Sequence, residues 1–124
     1  MTTDKPASRI GLLISPDLFF TSKVTGTAQA LGLRVDSVDD IATAKSRLEA
    51  GDIGCVLLDL ATPRVSVAEL RAAMPESARV PIIAFGSHVN VELLESTRAA
   101  GAEVMPRSQF SATLPNILAQ HLAH

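Results

Sequence analysis

The sequence predicts a single doubly wound α/β domain of three layers, a five-stranded parallel sheet with helices on both faces. Three observations carry that prediction. Short apolar runs alternate five times with segments of helical periodicity, joined by short connections. The central run, Ile53–Leu58, is apolar at nearly every position, as expected of a strand covered on both faces of a parallel sheet. Glycines at 32, 51 and 101 each follow a helix-patterned segment, where a left-handed residue ends a helix. Such alternation calls for right-handed crossovers.

Taken in order, Met1–Ser8 is polar and reads as a flexible tail, leaving residues 9–124 as the domain. Ile10–Ile14 is the first strand, and Pro16 is expected at the first position of a helix carrying Phe20, Val24, Ala28 and Leu31. Leu33–Val38 is a shorter, more polar strand suited to a sheet edge. Ile41, Ala44 and Leu48 stripe a second helix, Ile41–Ala50. After the strand Ile53–Leu58, Ser66-x-x-Glu69 has the form of a capping box and opens a helix carrying Val67, Leu70 and Met74. Pro81–Phe85 is a strand, Asn90–Ala100 a helix, and Glu103–Met105 a short fifth strand. A last helix, Ser111–Leu122, carries Leu114, Leu118 and Leu122. Pro115 requires that helix to begin just before it.

Composition narrows the function. The chain has 124 residues, 47% hydrophobic and 19% charged, which is the balance of a globular domain. Eleven basic against thirteen acidic residues, with no basic run, argue against nucleic-acid binding. A lone cysteine, Cys55, excludes an internal disulfide and is expected in the core. No apolar run is long enough to span a bilayer, and Ile10–Ile14 is too short for a signal-peptide core, so a cytoplasmic location with no membrane contact is expected.

One acid stands at the end of the central run. Ile53–Pro63 reads I-G-C-V-L-L-D-L-A-T-P, and Asp59 sits where functional groups of open α/β sheets collect. The bland reading is that Asp59 caps the following turn. L-L-D-L-A-T-P resembles the phosphoacceptor strand and loop of the response-regulator receiver domain, L-[LIV]-D-[LIVM]-x-[ML]-P. The order of elements supports the resemblance over about Arg9 to Leu122. It implies the flavodoxin-like strand order 2-1-3-4-5 and makes Asp59 the phosphoacceptor position, followed by Pro63.

The resemblance is incomplete at the positions that carry the family's chemistry. The acid pair that helps to hold Mg²⁺ after the first strand falls on Ser15-Pro16, with Asp17 just beyond. The hydroxyl position after the fourth strand falls on Gly86, with Ser87 next. The lysine after the fifth strand becomes Arg107 if one residue is omitted from G-A-E-V-M-P-R, or Ser108 if none is. Met105 takes the aromatic position under the first alignment. No metal site is expected; were one present, Asp17 and Asp59 would be its ligands, and Mg²⁺ would matter only to a working phosphoacceptor. An ion pair in which Arg107 forks onto Asp59 is the simplest arrangement of what remains.

Other candidates carry less. His88 lies near the same edge, but no G-x-S-x-G elbow surrounds Ser87 or Ser15, so hydrolase chemistry is not expected. His121 and His124 lack metal-ligand spacing, and neither D-x-H-x-x-G nor G-x-G-x-x-G occurs. Three readings of function stand. The first is a stand-alone, non-enzymatic pseudo-receiver that works by protein–protein contact. A histidine kinase or another signalling protein is the expected partner class, or a second copy in a homodimer, and the expected face is roughly Leu93–His121. The second is a true phosphoacceptor modified on Asp59 by a histidine kinase. The third is an anion binder using Gly86, Ser87, Arg107 and Ser108.

Overall fold

The fold, taken from a computed structural model, is described for residues 9–74, 79–86, 95, 97–99 and 101–122. Five strands, β1 (Ile10–Ile14), β2 (Arg34–Val38), β3 (Ile53–Asp59), β4 (Ile82–Gly86) and β5 (Glu103–Pro106), form one sheet in the order β2-β1-β3-β4-β5. Every pairing is parallel. The helices are α1 (Leu18–Ala30), α2 (Ile41–Ala50), α3 (Val67–Ala73) and a C-terminal helix (Arg107–Leu122). The predicted tail, 1–8, and most of the predicted helix 90–100 lie outside the described residues; 97–99 are helical.

β3 is buried along its whole length, because successive side chains serve two different cores. Val56 and Leu58 join Leu12, Ile14, Ile82 and Ala84 beneath Ala44 and Leu48 of α2 and Leu70 of α3. Cys55 and Leu57 join Leu13, Ile83 and Phe85 beneath Phe20 and Val24 of α1 and Leu114 and Leu118 of the C-terminal helix. Burial pushes the Cys55 thiol up to about 12, so it remains a neutral core side chain.

Helix ends follow local chemistry. Asp40 N-caps α2 by accepting the Thr43 amide, which holds its carboxyl below the usual carboxylate range. Ser66 accepts the Glu69 amide at 3.1 Å and its hydroxyl donates to the Glu69 carboxylate at 3.2 Å. Gly51 and Gly101 take positive φ of 86° and 90° where helical segments end. In the last turn of α3, the Arg71 guanidinium donates to the carbonyls of Val80 and Gly101, tying the entrances of β4 and β5 together.

Two expectations need correction. Pro16 does not open α1; Asp17 is the N-cap, accepting the Phe20 amide at 3.1 Å, and Leu18 is the first helical residue. A good capping side chain outranks a merely tolerated proline. The last helix begins at Arg107 rather than Ser111, so Pro115 lies in its interior. The proline leaves the Ser111 carbonyl without its helical donor. Burial of Phe110, Leu114, Ile117, Leu118 and Leu122 offsets that loss.

Gly54 marks a close approach of one backbone to another. A Cβ there would meet Arg9 Cβ at 2.7 Å, the His121 carbonyl oxygen at 2.9 Å and Leu122 Cδ2 at 3.0 Å. The end of the C-terminal helix thus rests directly on the β3 backbone. Gly54→Ala is expected to destabilise the domain by roughly 1–3 kcal/mol, the usual range for overpacking, because a backbone oxygen cannot step aside. Urea denaturation of the two proteins measures the difference, and equal midpoints would contradict the close approach.

Candidate functional site

The site is built where β1 and β3 end beside the start of the C-terminal helix. Asp59 is the last residue of β3, and its side chain is 1% exposed. An ionised carboxylate so buried is costly unless donors surround it. Three do. The Ser15 hydroxyl donates to Oδ2 at 2.8 Å, the Ala61 amide donates to Oδ1 at 2.9 Å, and the Arg107 guanidinium donates to Oδ2 at 3.1 Å.

Arg107 does not fork onto Asp59 as the sequence suggested. It bridges two carboxylates instead, one terminal nitrogen on Asp59 and the other 3.6 Å from Asp17. Asp17 lies too far out for a bidentate fork on one acid to satisfy both, and its other oxygen already caps α1. The guanidinium also lies over aromatic rings, with its central carbon 4.6 Å from the Phe20 centroid and 5.6 Å from that of Phe85. Phe85 stacks on Phe110 at 4.2 Å, so the cation sits on an aromatic block shared by α1, β4 and the C-terminal helix.

The remaining predicted positions divide. Ser15 is buried and relays contact, receiving the Asp17 amide at 3.1 Å while donating to Asp59. Gly86 ends β4 opposite Pro106 of β5, at the same edge of the sheet. Pro63 is exposed and follows the turn after Asp59. Ser108 is exposed in the first turn of the C-terminal helix, while Arg107 is the residue that reaches Asp59. Met105 is buried against the Phe85 side of the sheet. Ser87, His88 and Leu93 lie outside the described residues.

Sequence reasoning missed Thr62 and Phe20. Thr62 is buried, its Oγ1 2.7 Å from the Asp59 carbonyl oxygen and 3.3 Å from that of Ile14, so it stitches the ends of β3 and β1 together. The hydroxyl immediately before Pro63 was a legible signal, standing where the quoted motif has Met or Leu. Phe20 read as ordinary helix core, and nothing in its spacing marks the cation above it. Arg64, next in the loop, holds a left-handed φ of 64°. A non-glycine residue there costs roughly 1–2 kcal/mol.

Among described residues, no group of three or more His, Cys, Asp or Glu side chains is placed to hold a metal ion. Mg²⁺ prefers an octahedron of oxygens. Here Asp59 and Asp17 already face a fixed cation, and both oxygens of each have partners. The residues in this arrangement do not fit the ion.

No protein-family model matches the chain, and no curated protein matches it in sequence. Solved structures do. A response regulator from Hahella chejuensis superposes with a TM-score of 0.80 at 19% identity, covering 94% of this chain and 98% of that one. A chemotaxis protein of Vibrio cholerae gives 0.78 at 20% identity, covering 94% and 100%. The chain has the receiver-domain fold. The receiver domain of a Pseudomonas aeruginosa sensor histidine kinase, a structure with magnesium in its active-site cleft, gives 0.76 at 22% identity, covering 95% and 100%. The strand order predicted from the resemblance, 2-1-3-4-5, is the one observed. No helix among the described residues of this receiver fold is long and apolar enough to cross a membrane.

The two strands of this geometry yield separate expectations. Arg107→Ala leaves Asp59 buried with two donors and no neutralising cation, and is expected to cost about 2–4 kcal/mol. Asp59→Ala frees the guanidinium and should shift the Arg107 side-chain Nε–H resonance in NMR spectra. Unchanged urea midpoints together with an unmoved resonance would rule out the bridge. Arg64→Gly, which relieves the left-handed residue, is expected to stabilise by about 0.5–1 kcal/mol once the added freedom of the unfolded glycine is counted. A lower thermal midpoint would show that the Arg64 side chain contributes more than its backbone costs.

Proposed function

We propose that the chain is a divergent receiver-like signalling domain that acts by protein–protein interaction without conventional Mg²⁺-dependent phosphotransfer. The observation that carries this reading is the Arg107 guanidinium bridging Asp59 and Asp17. Phosphoryl transfer to a carboxylate needs a free carboxylate oxygen and a mobile divalent cation to neutralise the incoming group. In this chain the cation is a side chain, and it occupies the acid that would be modified. Ser15-Pro16 supplies no carboxylate where a metal ligand would stand.

Such a domain presents a fixed surface rather than a switched one. Its partner is a protein, a histidine kinase or another signalling component, and β5 with the exposed face of the C-terminal helix is the docking face that the receiver resemblance suggests. The composition supports no nucleic-acid role, with thirteen acidic residues against eleven basic.

The second reading is a phosphoacceptor modified on Asp59. It is favoured by the placement of that carboxylate at the end of β3, the position of the acceptor in the receiver motif. Backbone amide NMR of the full chain, titrated with millimolar Mg²⁺ and then with beryllofluoride, separates the two. Unchanged spectra are expected. Shifts centred on Asp59, Asp17 and Arg107 would show that the bridge opens to metal and phosphoryl, and would transfer the assignment to the phosphoacceptor.

A further inference from the structure

Three residues of α1 have no explanation in the packing of one chain: Leu18, 79% exposed, and two that share one face, Phe19 and Gly26. Phe19 is 91% exposed, although its neighbour Phe20 is buried in the core. Gly26 sits inside the helix, where glycine costs roughly 1 kcal/mol relative to alanine. A Cβ at Gly26 would meet nothing within 4 Å, so no neighbour within the chain requires its absence. Phe19 and Gly26 are seven residues apart, close to two helical turns and about 10.5 Å along the axis. A protruding ring and a bare stretch of backbone therefore share one stripe, with Ser22 between them.

We propose that α1 pairs antiparallel with α1 of a second copy of this chain, each Phe19 filling the gap at the other's Gly26. A two-fold contact requires that residue i meet j while j meets i, and a knob and its gap on one stripe satisfy that condition. The midpoint of the pair falls at Ser22 and Lys23. Lys23 is the one charged residue of α1, and its amine is drawn aside to the Ser111 hydroxyl at 3.1 Å. That leaves small Ser22 at the crossing, where two helices can approach closely.

The adjoining sheet edge is not an alternative surface. On β2, Asp36 is clamped by Arg34 and by Arg47, both at 2.9 Å, and the Arg34 hydrogen bond holds its carboxyl below the ordinary range. Charges on an edge strand discourage addition of another strand. A partner unrelated to this chain would explain the exposed ring but not the glycine at matching spacing on the same face. The proposal does not rest on the signalling role argued above.

A 13-residue helix is about 20 Å long, so the contact is small and belongs to the weak, transient class. Sedimentation equilibrium of the full chain from micromolar to millimolar concentration tests it. A reversible monomer–dimer equilibrium is expected, weakened about tenfold or more by Phe19→Ser and by Gly26→Leu. Leu31→Ser, altering an exposed side chain off the stripe, is expected to leave the equilibrium unchanged. Gly26→Leu raises helix propensity and has open space, so its melting temperature should hold or rise while the dimer is lost. A chain that stays monomeric at millimolar concentration overturns the proposal. So does a dimer that survives Gly26→Leu.

Discussion

The buried carboxylate of Asp59 is the constraint that the surrounding structure answers. Left alone, an acid at 1% exposure would be among the most costly groups in the domain. Its three donors come from three places far apart in sequence: the end of β1, the turn after β3 and the start of the C-terminal helix. The last is the most unusual. A cation at a helix N-terminus is opposed by the helix dipole, and this helix has no acidic residue in its first turn. Asp59 and Asp17 supply from outside the negative charge that the helix start lacks. Each partner offsets an unfavourable placement of the other, which is why neither reads as stable when taken singly.

Much of the sheet was legible because its signals are local. Buried parallel strands are short apolar runs, and Ile10–Ile14 and Ile53–Leu58 announce themselves with no knowledge of neighbours. The boundary errors arose where local rules compete. Pro16 and Asp17 both favour a helix start, and the capping side chain decided by one residue. Pro115 argued for a short last helix, yet a hydrophobic face continuing back to Phe110 draws the helix four residues earlier. That extension places Arg107 on the helix and aims it at the site. An error of helix boundary was therefore also an error about geometry, since a loop arginine could have forked onto Asp59 where a helical one spans two acids.

What sequence could not show is contact between distant residues that carry ordinary local patterns. Phe20 and Phe85 occupy unremarkable core positions of a helix and a strand, and their joint role as a platform for a guanidinium exists only once α1 and β4 are stacked. Gly54 likewise looked like a gap in an apolar run. Its reason is the carbonyl of His121, 67 positions later, resting where a Cβ would be.

The same bridge bears on what the site can do. A bound metal ion can leave, and its binding can be tuned by concentration. A side-chain cation is fixed at a local concentration no solution can match, and it cannot diffuse away. Arg107 is the first residue of a helix whose Phe110 is stacked on Phe85 and buried beside Phe20. Drawing the guanidinium away from Asp59 therefore requires either a new side-chain rotamer that abandons both aromatic rings, or displacement of the helix start. The first forfeits the cation–π contacts together with the ion pair; the second disturbs the aromatic packing that joins α1, β4 and the C-terminal helix. By either route the state of one carboxylate is tied mechanically to the C-terminal helix.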